Sequence, residues 1–228
     1  LGEGQNTLAI IAGGARGVPV VLGMNRSNGR RVYNSAVLLD EKGEVAGIYD
    51  KHHLVPFGEY VPFGDVMAGF GIGGLAARDG AGYSAGPGPR LLDLGPVGLA
   101  LPLICYEVVF PQDVRGSEMR PRLLMQITND AWFGDFAGPR QHLALTQLRA
   151  AEQGIPVVRA ANTGISAVID ARGRVTDTLP LNTAGFLDVA LPAALPSTIY
   201  AQTGDGPAWA VALMGLAAFY GRRRRIVG

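Results

Sequence analysis

VGLALPLICYEVVFP, residues 97–111, is the stretch on which the fold reading turns. Its first eight residues are almost unbroken apolar side chains, bounded upstream by Gly95 and Pro96. A short apolar run between turn signals is what a strand buried on both faces looks like. The run stops at Cys105, Tyr106 and Glu107, and Pro111 follows. An acid two positions beyond a cysteine is foreign to a core strand, and strand alternation would put Cys105 and Glu107 on the same side. The sequence therefore describes a central strand that ends in polar, reactive residues.

Similar runs lie to either side. VPVVLGM (18–24), NSAVLLD (34–40) and EVAGIYD (44–50) precede it, with turn signals at 27–31 and 41–43. RLLDL (90–94), RLLMQIT (122–128), VVRAA (157–161), ISAVID (165–170), RVTDTL (174–179) and FLDVAL (186–191) read as further strands. DEKGEV and DARGRV have the composition of hairpin turns. Two helices are predicted, a short one over 7–16 that ends at Gly17 and a clear one over 139–153. Pro139 suits the first turn of the second helix and Gly154 the position after its end. Its helical spacing is carried by Ala144, Leu145, Leu148, Ala151 and Glu152. Strands outnumber helices and several are joined by hairpins, which predicts an α/β protein with a mixed sheet. Residues 64–90, rich in Gly, Pro and Ala, read as loop and leave room for a lid.

Composition narrows the function. The 228 residues carry a formal charge of +1, which argues against a general nucleic-acid binder. One cysteine excludes an internal disulfide and a multi-cysteine metal site. Three histidines without ligand spacing give metal hydrolysis little support. Only Lys42 and Lys51 are lysines, and four arginines are consecutive, Arg222–Arg225. Without that cluster, 16 basic residues face 19 acidic ones, so the positive charge is gathered at the C-terminus. The chain begins with Leu1, and no signal peptide is visible. The uncharged run PAWAVALMGLAAFY (207–220) ends against the arginines. As a helix it would be about 21 Å long at ~1.5 Å per residue, against the roughly 20 residues a full crossing needs. Trp209 at one end and arginines at the other favour a membrane element with a cytoplasmic C-terminus, although a core helix fits the length equally.

Three clusters could carry chemistry. Cys105 ends its strand where following backbone N–H groups could hold an oxyanion, while a lone cysteine in an apolar run is ordinarily a small buried hydrophobe. In YDKHHLVPFGEYVPFGD (49–65), Lys51 is followed by Glu59 across a Pro/Gly loop. The plain alternative is a solvated loop, and the sharper one a lysine fixed by a glutamate and able to stabilise a carbonyl oxyanion. In QITNDAWFGDFAGPRQH (126–142), Asn129, Asp130, Trp132 and Phe133 stand at a strand end, with Asp135 or Gly138 available to cap the helix. A Cys, a Lys and carboxylates at strand ends are the parts of thioester acyl transfer. His142 is the one candidate base, and its helical position also fits a surface residue.

KHHLVPFGEYVPF, ICYEVVFP and TNDAWFG…GPRQHLALTQLRAAE, in this order, resemble the nitrilase or carbon–nitrogen hydrolase superfamily. NTGISAVID (162–170) and the apolar segment ending in basic residues are most similar to its apolipoprotein N-acyltransferase branch. The resemblance implies a nitrilase-like four-layer αββα sandwich, incomplete at its N-terminus, over residues 1–203, with a C-terminal transmembrane helix over 204–228. It implies Cys105 as nucleophile, Lys51 with the Tyr106 N–H as oxyanion stabilisers, and Glu59 as the glutamate supporting the lysine. Tyr106 and Glu107 match the two residues that the branch requires after its cysteine. Trp132 and Asn129 fall near the site. The triad glutamate belongs to a Pro-Glu motif upstream of VPVVLG, and Glu3 does not match it. The expectation is a truncated chain that lacks its base and, as it stands, is inactive. Implied partners are a phospholipid acyl donor, a lipoprotein N-terminus and the bacterial inner membrane, with a periplasmic catalytic domain and no metal or cofactor. A small-amide hydrolase and an inactive nitrilase-fold module are the competing functions.

Overall fold

The computed structural model describes residues 2–62, 82–117 and 119–227. Most of the 64–90 segment and its expected lid lie outside the described residues. The chain opens with helix α1 (Gly2–Ala15), then strands β1 (Val20–Asn28), β2 (Arg31–Leu39) and β3 (Val45–Asp50). These pair in order as an antiparallel sheet. A second sheet holds β4 (Leu92–Asp93), β5 (Leu99–Ile104), β6 (Leu123–Asn129), β7 (Val157–Asn162), β8 (Ser166–Ile169) and β9 (Val175–Leu179) in that order. Its centre, β5–β6–β7, is parallel, and its flanks are antiparallel. Helices α2 (Pro111–Arg115) and α3 (Gly138–Gln153) lie in the crossovers, and α4 (Ile199–Thr203) and α5 (Gly206–Val227) close the chain.

The alternation expected of β5 sorts two cores. Leu101 and Leu103 point to one face, with Leu124, Val157 and Ala150 of α3. Ile104 points to the other, where it meets Ala36 and Tyr49 of the three-stranded sheet and half-buried Ile127 and Cys105. The two sheets therefore pack face to face, with α3 covering the outside of the larger one. α1 keeps Leu8, Ile11, Ala12 and Ala15 half-buried at helical spacing and exposes Ile10. The two anticipated hairpin turns share one device. Asp40 Oδ1 accepts the N–H of Lys42 and Glu44, and Asp170 Oδ1 those of Arg172 and Arg174, each at 2.9 Å. Gly43 and Gly173 supply the positive φ, +79° in both.

Two expectations are corrected. The membrane-spanning part of the expected fold is not there: among the described residues no helix is long and apolar enough to cross a membrane. α5 has 22 residues, but its uncharged stretch is only 207–220 and the arginines occupy its last turns, short of the roughly 20 apolar residues required. Trp209, Val211, Leu213, Met214 and Leu216 of α5 are exposed. Residues 186–191 form no strand; they find no ladder partner, and Phe186 is exposed. α3 is where it was anticipated, and Leu143 and Leu145 pack against the core. Ala144, Leu148 and Ala151 are exposed, whereas the buried face is Pro139, His142, Thr146, Arg149, Ala150 and Gln153. Polar groups on β6 and β7 draw that face inward, as the site makes plain.

Candidate active site

β5 ends at Ile104, and Cys105 opens a 3-10 turn, Cys105–Val109. Cys105 has φ +50°, in the left-handed region that costs a side-chain-bearing residue about 1–3 kcal/mol and persists only where neighbours over-determine it. The N–H groups of the first turn have no partner inside a helix, so the residue after the thiol is a ready donor. This is the geometry of a nucleophile set on a strand end.

Glu107 organises the turn from within. Fully buried, its Oε2 accepts the Ile104 N–H at 2.8 Å. Its Oε1 accepts the Tyr49 hydroxyl at 2.7 Å and the backbone N–H groups of His52 and His53 at 2.9 and 3.1 Å. One carboxylate thus ties the end of β5 to the segment after β3 that carries Lys51. Burial, and then the Glu107 charge, push the Tyr49 phenol well above its ordinary range. His52, hydrogen-bonded first to Asp113 and then to Glu107, is pushed up to about 9.

Lys51 is fully buried, its backbone N–H bonded to the Asn34 carbonyl and its carbonyl to the Gly86 N–H. Its ammonium donates to both oxygens of Glu59, at 2.8 and 2.7 Å. Glu59 also accepts the Val55 N–H at 2.9 Å and the Asn34 side chain at 3.5 Å. Gly86 has no room for a side chain, because a Cβ there would meet the Asp50 carbonyl at 2.1 Å. The close pass of residues 82–88 along Lys51 depends on that glycine.

A cavity of about 910 Å³ opens where the two sheets meet. Cys105, Glu59, Asn129 and Trp132 all line it, so the structure brings four of the expected site residues together. Asn34, Met24 and Phe133 add to its wall. Lys51 is tied to the same wall through Glu59. Tyr106 faces a smaller cavity with His52, His53 and Tyr60, and Glu107 is internal. Trp132 is 68% exposed at the rim. Asn129 Oδ1 accepts the Ala131 N–H and the Asn162 amide, both at 3.2 Å. Glu59 is the one acid lining this cavity among the described residues, and it is committed to Lys51. No cluster of His, Cys, Asp and Glu among them is grouped to hold a metal ion.

A second polar cluster lies behind Cys105 and under α3; Asp130 and His142 stood out in the sequence, but Gln126, Thr146 and Arg159 did not. His142 is buried, not on the surface; its Nδ1 lies 2.9 Å from Asp130 Oδ1 and its Nε2 3.1 Å from the Cys105 carbonyl oxygen. Arg159 pairs with the second Asp130 oxygen and also donates to Gln126 Oε1. Thr146 donates to Gln126 Oε1 at 2.6 Å and Thr128 to Asp130 at 2.7 Å. Burial alone would raise Asp130, but the hydrogen bond from His142, the Arg159 charge and Thr128 hold it below the ordinary carboxylate range. An arginine inside the apolar run VVRAA was the available signal.

A carbon–nitrogen hydrolase family model matches residues 7–200. The chain belongs to the carbon–nitrogen hydrolase family. Its curated relatives include proteins named apolipoprotein N-acyltransferase. That of Bradyrhizobium diazoefficiens is 48% identical over 196 residues, covering 86% of this chain and 36% of the relative. That of Rhodopseudomonas palustris is 46% identical over 178 residues, covering 78% and 33%. The chain spans about a third of the length of these relatives. Among solved structures, an amidase from Nesterenkonia sp. AN1 superposes with TM-score 0.59 and 24% identity, over 87% of this chain and 70% of that one. A variant of the same amidase, caught after Michael addition of acrylamide at its active site cysteine, has TM-score 0.57 and 23% identity, over 79% and 66%. At that identity the likeness is one of fold alone.

Proposed function

We propose that this chain is the acyl-transfer domain of an apolipoprotein N-acyltransferase, in which Cys105 takes a fatty acyl group from phospholipid and passes it to the N-terminal cysteine amine of a lipoprotein. The observation that carries this reading is the placement of Cys105, at a positive φ on a strand end, in the wall of a large, partly apolar cavity that also holds a lysine-paired glutamate. In the first half-reaction the thiolate attacks the ester carbonyl carbon; the C–O bond breaks, and the lipid alcohol leaves with a proton. In the second, the lipoprotein amine attacks the thioester, the C–S bond breaks, and the amine gives up a proton as the thiolate is restored. Lys51, held by Glu59, and the Tyr106 N–H are assigned to the oxyanion of each tetrahedral intermediate. Glu107 holds the elbow, and Asn129 and Trp132 contact substrate at the rim. We place this unit in residues 1–203, with 204–228 as an appendage, and the reaction at the periplasmic face of the bacterial inner membrane, where both lipid substrates would meet it.

The test is intact-mass analysis of a chain that also carries the upstream Pro-Glu segment the resemblance implies, after incubation with phosphatidylethanolamine vesicles and then a diacylglyceryl-cysteine peptide. A hydroxylamine-sensitive acyl adduct on Cys105, discharged by the peptide, is expected. Ammonia release from a small amide with no acyl adduct would instead establish an amidase, the reading that the amidase fold neighbours favour.

A further inference from the structure

Cys105 keeps a strained backbone although its thiol side is open cavity, so the restraint has to come from behind it. The side chains that reach its carbonyl among the described residues are Gln126, whose amide donates to it at 3.4 Å, and His142, whose Nε2 lies 3.1 Å away. Both belong to the sealed cluster under α3. Gln126 Oε1 is taken by Thr146 and Arg159, which leaves its amide nitrogen to donate one N–H to His142 Nε2, 3.0 Å away, and the other to the Cys105 carbonyl at 3.4 Å. Asp130, fixed in turn by Arg159 and Thr128, holds the other ring nitrogen of His142. The imidazole is therefore fixed on one side and aimed at the elbow on the other. Phe133, which lines the cavity, meets the His142 ring edge to face at 5.6 Å and closes the cluster off from it.

The peptide joining Cys105 to Tyr106 is planar, and in a trans peptide the carbonyl and the N–H point in opposite directions. A group that pins the Cys105 carbonyl also sets the direction of the Tyr106 N–H and the start of the Cys105 side chain. We propose that His142, oriented by Asp130, is a positioning residue for the nucleophile elbow: its Nε2 fixes the Gln126 amide that donates to the Cys105 carbonyl, and it never touches substrate. The inference rests on Cys105 being the nucleophile. It makes the polar inner face of α3 a functional surface, not a packing irregularity. Asp130 and Arg159 are the buried pair that keeps the imidazole in register.

The two amides that resemble halves of histidine separate this role from simple packing. An asparagine at 142 reproduces the Nδ1 contact with Asp130 but falls short of the Gln126 amide; a glutamine reaches the position of Nε2. The rate of Cys105 alkylation by iodoacetamide is measured for the wild-type protein, His142→Asn and His142→Gln, together with their urea midpoints. His142→Asn is expected to react about ten-fold more slowly, with His142→Gln restored to within about three-fold of wild type. Should His142→Asn not fold, His142→Phe, which keeps the ring and loses both nitrogens, takes its place as the slow variant. Equal rates for the asparagine or phenylalanine variant and the glutamine variant, whether fast or slow, overturn the proposal. Acyl-adduct formation is recorded in parallel in the chain that carries the upstream segment. A wild-type protein that alkylates in the expected pattern yet takes no acyl group from vesicles would sink the acyltransferase reading and leave the elbow inference standing.

Discussion

Lys51–Glu59 and Arg159–Asp130 are built from the same materials, a buried cation held by a carboxylate at hydrogen-bond distance, yet they stand on opposite sides of the strand ends that carry Cys105. In the first pair the lysine is sealed but the Glu59 side chain keeps 14% exposure and lines the cavity. In the second both side chains are fully sealed. A pair that borders a cavity can present charge to a substrate. A pair locked under a helix can act only through what it holds in place. Charge type does not distinguish the two; the face of the sheet does.

The sharpest break of this comparison is at the thiol itself. Cys105→Ala should remove acyl-adduct formation completely, read by intact mass, while the urea midpoint stays near wild type because Cys105 is only half-buried. Next comes the sealed pair. Arg159→Met leaves the buried Asp130 charge with only His142 and Thr128 as partners, and removing one partner of a buried pair costs about 3–5 kcal/mol. Urea unfolding should show it, and acylation per folded molecule should fall with it. The cavity-facing pair should answer the other way. Lys51→Met should lower acylation by about 10²–10³-fold, the usual cost of losing an oxyanion donor. Its stability loss should be smaller than that of Arg159→Met, because the freed Glu59 borders the cavity. If Lys51→Met proves the more destabilising and less inactivating of the two, the division between working and supporting pairs fails.

A smaller effect tests the Glu107 hub. His52 is raised to about 9 by Asp113 and Glu107, from an unfolded value of about 6.5. A raised folded value means that the bond stabilises fully below about 6.5 and is lost as pH climbs through 9. The melting temperature should therefore decline between those values in the wild type and decline less in His52→Gln. Asp130 runs in the opposite direction. Its lowered value gives stability that is present at neutral pH and lost on acidification below the ordinary carboxylate range, a loss that Asp130→Asn should not show.

Much of the architecture was legible because it is written in short-range chemistry. Branched apolar runs gave the strands, and Asp-x-x-Gly turns gave both hairpins. Pro139 and Gly154 bracketed α3 within one residue. What failed shares one cause. The helical repeat of α3 did not say which face is buried: Leu145 packs on the core while Leu148 is exposed, because Gln126 and Arg159 on distant strands offer polar partners to Thr146 and His142. FLDVAL has a strand's composition and no strand beside it. The tail has the composition of a membrane element, but its uncharged length is too short to be a span.

The candidate site divides along the same line. The sequence by itself determined which residues are scarce and reactive: one cysteine at the end of an apolar run, one of two lysines beside a loop glutamate, and the ordered strings that place the chain among carbon–nitrogen hydrolases. Only the tertiary structure decided that Cys105 sits at φ +50° over a cavity that Glu59 borders, that Glu107 faces inward as a hub, and that His142 is buried behind the Cys105 carbonyl. Residue type and local spacing are properties of neighbours along the chain. Strain, burial and the partner of a buried charge are properties of neighbours in space, and Asp130 and Arg159 lie 29 positions apart before folding brings them together.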